Sequence, residues 1–153
     1  YITPAADQTT ATLRREIDAF VRQGLLSREE AKLVYVPVLA AFCQSDIGRR
    51  MAESPELHRE YPFTVLLAGG DPLPETEMGE QILIQGVIDC LFREDDAWIL
   101  VDYKSDRLET ADAFRRRYAV QLALYKRAVE QITHRPVEET YIYSLHLQQE
   151  IRL

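Results

Sequence analysis

Two apolar runs with an acidic break between them constrain this chain more than any other feature. Ile82-Leu-Ile-Gln-Gly-Val-Ile-Asp-Cys-Leu-Phe92 and Ala97-Trp-Ile-Leu-Val101 are separated by Arg93-Glu94-Asp95-Asp96. Runs rich in Ile, Val, Phe and Trp and bounded by turn-forming residues read as strands. The spacing predicts strands over 81–93 and 97–104, paired as a hairpin around Glu94-Asp95-Asp96. Opposed residues of an antiparallel pair share a face, and so do residues i and i+2 of one strand. Asp89 is then able to lie beside Asp102, with Lys104 on the same face as Asp102.

A carboxylate inside an apolar strand is costly unless it is paired or bound to a cation. Two adjacent carboxylates suit a hard divalent cation such as Mg²⁺, which takes oxygen ligands and keeps several waters. The carbonyl of Tyr103, next to Asp102 in sequence, is a candidate third ligand. A lysine beside that cation is placed to orient a water or to offset charge growing on a phosphate. This is the inventory of a metal-dependent phosphodiesterase, with Asp89, Asp102 and Lys104 as its catalytic candidates. An Asp-x-Lys triplet alone is a weak signal, and the partner strand carrying Asp89 is what gives it weight. Read the other way, Asp89 is an edge-strand residue facing water.

The rest of the chain divides in character near residue 54. Leu13, Ile17, Phe20 and Val21 form the stripe of an amphipathic helix over 8–23, ended by Gly24. Ser27 and Glu30 form a capping box for a second helix over 28–43, which Pro37 should kink or split. Ser45 or Asp46 caps a third, short helix that Pro55 closes. Beyond it, Tyr61, Phe63, Val65 and Leu67 alternate as in a strand over 58–67, and Gly69 to Pro74 reads as a loop. Residues 110–133 predict a long helix stopped by Pro136, and 137–147 a last strand. The expected architecture is α/β, a central mixed sheet flanked by helices, with a helical part over 1–54 and the core over 55–153.

Further site candidates come from position. Glu60, ahead of Tyr61-Pro62-Phe63, either adds an acid to the cluster or is one more exposed glutamate. Gln121 and Tyr125, four apart, share a helix face and either serve phosphate or base edges or pack into the core. Arg115-Arg116-Arg117 reads as a phosphate contact, Arg117 foremost, or as a solvated face. His58, His134 and His146 have no metal-ligand spacing. No phosphate-binding Gly-Lys loop and no Gly-x-Ser-x-Gly elbow is present.

Bulk properties exclude several classes. A net charge of −7 argues against a protein that coats duplex DNA non-specifically. It leaves a nuclease open, because a metal supplies the positive charge that phosphate needs. Two cysteines, Cys43 and Cys90, read as reduced thiols of a cytosolic protein; an iron–sulfur cluster held by this chain alone would need about four thiolates. No apolar run reaches the roughly 20 residues that span a membrane. The chain starts at Tyr1 rather than methionine and reads as a piece of a longer protein.

Taken together, Gly86-Val-Ile-Asp89, Asp102-Tyr-Lys104-Ser-Asp106-Arg107 and Tyr118-Ala-Val-Gln121-Leu-Ala-Leu-Tyr125 resemble the motifs of the RecB-like nucleases of the PD-(D/E)xK superfamily. The wording is most similar to the C-terminal nuclease domains of AddA-type bacterial helicase–nuclease proteins, and Arg59-Glu-Tyr-Pro-Phe63 fits the same group. The resemblance covers roughly residues 55–147. It implies a restriction-endonuclease-like core with Asp89 and Asp102 as metal ligands and Lys104 as the catalytic lysine. Gln121 and Tyr125 take the place of the Gln-x-x-x-Tyr motif beside the site. It further implies Mg²⁺, replaceable by Mn²⁺, as cofactor, and unwound single-stranded DNA as substrate. A bacterial cytoplasmic setting, a role in double-strand break repair and an AddB-type partner follow from the same likeness. One departure stands out: the family's Gly-x-x-x-His, whose histidine is a metal ligand, does not occur ahead of Glu60. The expectation is that it lies upstream in the parent protein and that this chain alone is slow or inactive. A catalytically degraded module that guides DNA or docks a protein is the rival reading, and a free-standing restriction or repair nuclease a second.

Overall fold

A computed structural model of the chain describes residues 8–68 and 81–153. The loop expected over 69–74 lies outside the described residues. Contacts divide the chain into two units, Tyr1–Glu53 and Ser54–Leu153.

The first unit is helical: α1 (Thr10–Arg22), α2 (Arg28–Leu33), α3 (Val36–Gln44) and α4 (Asp46–Glu53). Both α1 and α2 start with reciprocal capping boxes, Thr9 with Thr12 and Ser27 with Glu30. Each satisfies two backbone donors that a helix start leaves open. Pro37 does not kink a single helix. The chain leaves helical geometry at Val34 and Tyr35, and Pro37 falls in the first turn of α3. A missing N–H costs nothing there, because first-turn N–H groups have no helical partner. Ser45 Oγ accepts from Gly48 N at 3.1 Å and starts α4. Gly48 has to be glycine, since a Cβ would fall 2.0 Å from the Phe42 carbonyl oxygen. Leu13, Ile17, Val36 and Ala40 form the core of this unit.

The second unit is a five-stranded sheet in the order β1-β2-β3-β4-β5, with a long helix on one face. Its strands are β1 (Leu57–Ala68), β2 (Gln81–Glu94), β3 (Ala97–Lys104), β4 (Val137–Ser144) and β5 (Gln149–Arg152). The helix α5 (Ala111–Thr133) connects β3 to β4, which pair in parallel; all other neighbours are antiparallel. A parallel step needs such a crossover, whereas an antiparallel step can be closed by a short turn. The sheet is therefore mixed, as expected. The strand predicted over 137–147 ends earlier: β4 stops at Ser144, and a turn with Gln148 at φ 52° leads into β5, a strand the sequence did not predict.

Phe114, Leu122 and Val129, about two helical turns apart, pack the inner face of α5 onto Phe63, Val65, Leu67, Ile88, Leu91, Leu100 and Ile142. Each fully buried Leu, Ile or Phe contributes about 1.5–3 kcal/mol. Gly86 makes room for a ring on the neighbouring strand. It stands opposite Phe63, whose ring would lie 2.9 Å from any Cβ placed there. No helix among the described residues is long and apolar enough to cross a membrane.

Candidate active site

The pleat of the sheet breaks where the acidic residues sit. The β1–β2 ladder pairs Arg59 with Cys90 and resumes at Tyr61 with Ile88, leaving Glu60 and Asp89 without a ladder pair. Glu60 has φ 50°, in the left-handed region that favours glycine. Ile88 and Leu91, three apart on β2, both reach the same core, which a strict alternation of period two forbids. The irregularity turns the strand between them and sets Asp89 at the end of the β2–β3 ladder, one residue past the Cys90–Val101 pair. Continued by one step, that register puts Asp89 opposite Asp102. The Asp89 carboxylate reaches across β3 and accepts a hydrogen bond from Tyr103 N at 2.9 Å.

Asp102 and Lys104 close the C-terminal end of β3, alongside Ile142 and Ser144 of β4. Trp98 and Leu100 point into the core under α5, so Asp102 and Lys104 face α5 as well. Asp102 is 3% exposed. Lys104 Nζ lies 2.6 Å from Asp102 Oδ2, and that oxygen has no other donor among the described residues. Burial pushes the Asp102 carboxyl above the usual carboxylate range; Lys104 works against the rise and Asp89 adds to it. That mutual effect of the two acids is what a shared cation would relieve.

Around Lys104 lie Tyr118 and Asp106, to which the sequence assigned no role of their own. The Lys104 Nζ stands 4.5 Å from the centre of the Tyr118 ring on α5. Tyr118 Oη donates to Asp106 Oδ2 at 2.6 Å, and Arg117 Nη2 reaches Asp106 Oδ1 at 3.4 Å. The Tyr118 hydrogen bond lowers the Asp106 carboxyl, while burial and Asp106 push the Tyr118 hydroxyl up to about 12. Lys104 is thus held between an acid and an aromatic face. The signal for Asp106 and Tyr118 was their place inside the quoted motifs, but no periodicity brings residues 12 apart together.

The remaining candidates sort clearly. Gln121 Nε2 donates to Tyr125 Oη at 3.1 Å, and the Tyr125 ring packs edge-on against Phe63 at 5.3 Å. Both therefore belong to the α5 face that covers the sheet. Glu60 is exposed, at the gap in the β1–β2 ladder across from Asp89. Arg117 pairs with Asp106, and Arg115 with Asp112 and the Arg152 carbonyl, so both side chains have acceptors within the protein. Cys90 is buried and its thiol pushed up to about 12, mainly by burial, which makes it a poor nucleophile.

Among the described residues no three His, Cys, Asp or Glu side chains gather as a metal cage. The donors that do meet are oxygens: the carboxylates of Asp89 and Asp102, with Tyr103 beside them. An oxygen set with one buried, sparsely satisfied carboxylate fits a hard divalent cation that keeps water and substrate ligands.

Comparison with known proteins agrees with this chemistry. The chain is 40% identical over 146 residues to an ATP-dependent helicase/nuclease subunit of Geobacillus kaustophilus, with 86% of the chain covered. It is 37% identical to the protein of the same name from Alkaliphilus oremlandii, with 92% of the chain covered. To that from Carboxydothermus hydrogenoformans it is 36% identical, with 96% covered. The chain spans only 12–13% of the length of these relatives. It also matches the PD-(D/E)XK nuclease superfamily over residues 2–151. Since that match takes in all five helices and the first four strands, the chain belongs to the PD-(D/E)XK nuclease superfamily.

Proposed function

We propose that this nuclease domain hydrolyses DNA phosphodiesters with Mg²⁺, cutting single strands delivered by the helicase part of a larger protein. The observation that carries the reading is the meeting of Asp89, Asp102 and Lys104 at adjoining strand ends, with the Lys104 ammonium 2.6 Å from Asp102. Asp89 and Asp102, with the Tyr103 carbonyl, are the residues that would hold the metal. When bound, Mg²⁺ supplies Lewis-acid charge at the scissile phosphate and favours deprotonation of an attacking water. Lys104, as an ammonium, donates a hydrogen bond to that water or to a phosphate oxygen and offsets charge as the P–O ester bond breaks. Asp102 and the Tyr118 ring fix the direction in which Lys104 points. Asp89 is fixed in turn by the Tyr103 N–H. Gln121, Tyr125, Glu60 and Arg117 support the site from around it, Arg117 through Asp106.

The relatives' names supply the context, in which unwinding and cutting are joined in one protein. Break processing with an AddB-type partner in the bacterial cytoplasm extends the same reading. That only two carboxylates gather among the described residues favours a second reading for the chain alone, a nuclease fold short of one ligand. Mg²⁺-dependent cleavage of a labelled single strand decides between them. Asp102→Ala should lower the rate by about 10²-fold or more while circular dichroism is unchanged. Equal rates in wild type and variant remove Asp102 from the mechanism. No cleavage by either, with the metal unbound, selects the second reading.

A further inference from the structure

The first unit carries a groove whose charge is opposite to that of the chain as a whole. It has a volume of about 720 Å³ and opens between α1 and the corner of α2 and α3. Arg14 and Arg22 of α1 line one side, and Arg28 and Lys32 of α2 the other. Against these four cations the lining holds one acid, Asp18, in a chain of net charge −7. Arg14, Arg22 and Arg28 form no ion pair among the described residues, and Lys32 has only the exposed Glu29 at 3.8 Å. Cations left unneutralised in an acidic chain are placed to receive an external anion.

The rim adds a second observation. Tyr35, at the start of α3, is 68% exposed and lines the same groove. The groove floor below it is apolar, built from Ile17, Val34 and Val36. A basic track with an accessible aromatic face is the arrangement that grips single strands without reading their sequence. Phosphates pair with the cations and a base stacks on the ring. An acidic polypeptide would satisfy the cations equally but has no comparable use for a bare ring.

We infer that this groove binds single-stranded nucleic acid, with backbone phosphates on Arg14, Arg22, Arg28 and Lys32 and a base on Tyr35. The inference rests on DNA being the substrate, and it gives the helical unit a strand-holding role separate from cleavage.

The test is fluorescence anisotropy of a labelled oligothymidylate with the whole chain in EDTA, so that no cleavage occurs. Arg22→Glu with Arg28→Glu should weaken binding by about tenfold or more. It should also lower the slope of log affinity against log salt by about 1.4, roughly 0.7 for each phosphate left without its cation. Tyr35→Ala, at an exposed position that leaves folding intact, should weaken binding about fivefold or more with the slope unchanged. Wild-type affinity in both variants overturns the inference. So does polyglutamate displacing the oligonucleotide as well as unlabelled oligothymidylate does, which would mark a site for an acidic polypeptide. Failure of the nuclease reading shows separately. It would appear as no Mg²⁺-dependent hydrolysis of bis(p-nitrophenyl) phosphate, a diester too short to use the groove, by the wild-type chain.

Discussion

Asp102 shows what a reactive residue costs the fold that carries it. Its carboxyl is buried and held above the usual carboxylate range, chiefly by burial, even with Lys104 beside it. A buried ion pair is weak support for stability, because desolvation offsets the attraction. A raised folded-state pKa means that the folded protein keeps this proton longer than the unfolded chain. Asp102 therefore subtracts stability as pH rises from its unfolded value through its folded one, and the full cost is present above both. Asp102→Asn removes that titration. The variant should be at least as stable as wild type at pH 7, despite the broken ion pair, and its melting temperature should vary less between pH 4 and 7. Thermal unfolding across that range checks this; a variant that melts well below wild type at pH 7 would show that the pair is structural.

Elements were legible where apolar pattern and turn chemistry agreed, and illegible where the backbone departed from what its residues prefer. The β2–β3 hairpin follows from two apolar runs and an acidic turn, and the expected strand over 97–104 is β3 itself. Asp89, Asp102 and Lys104 could be brought together on paper because register follows from the turn. Glu60 breaks the pleat from the left-handed region, where a glutamate gives no warning. The turn over 145–148 was missed for the same reason: Leu145-His-Leu-Gln148 holds no Gly, Asn, Asp or Pro, and Gln148 takes φ 52° unaided. A non-glycine residue pays about 1–2 kcal/mol for that conformation, while glycine loses some of this to chain entropy. Gln148→Gly should therefore stabilise the β4–β5 hairpin by about 0.5–1 kcal/mol. The gain would show as a melting temperature higher by a few degrees, and a drop would mean that the Gln148 side chain makes an interaction worth more than the backbone strain.

For the whole molecule, the acidic balance and the site have one common consequence. A chain of net charge −7 repels itself, and Asp89 adds to that repulsion at the buried carboxyl of Asp102. A divalent cation there would remove the repulsion only in the folded state, because the unfolded chain does not bring residues 13 apart in sequence to one point. Binding to the folded state alone stabilises by RT ln(1 + [L]/Kd), about 2.7 kcal/mol when the ion stands at 100 times its dissociation constant. For a chain of this size that is a rise of roughly 5–10 °C in melting temperature. Mg²⁺ or Mn²⁺ should therefore raise the melting temperature of the wild type in a saturable way, whether or not the chain cleaves DNA. Potassium at matched ionic strength should not, since screening alone carries no site. The double variant Asp89→Asn with Asp102→Asn should lose the rise. If it melts higher with Mg²⁺ by as much as the wild type does, the ion is held elsewhere on the acidic surface, and the two aspartates are not its ligands.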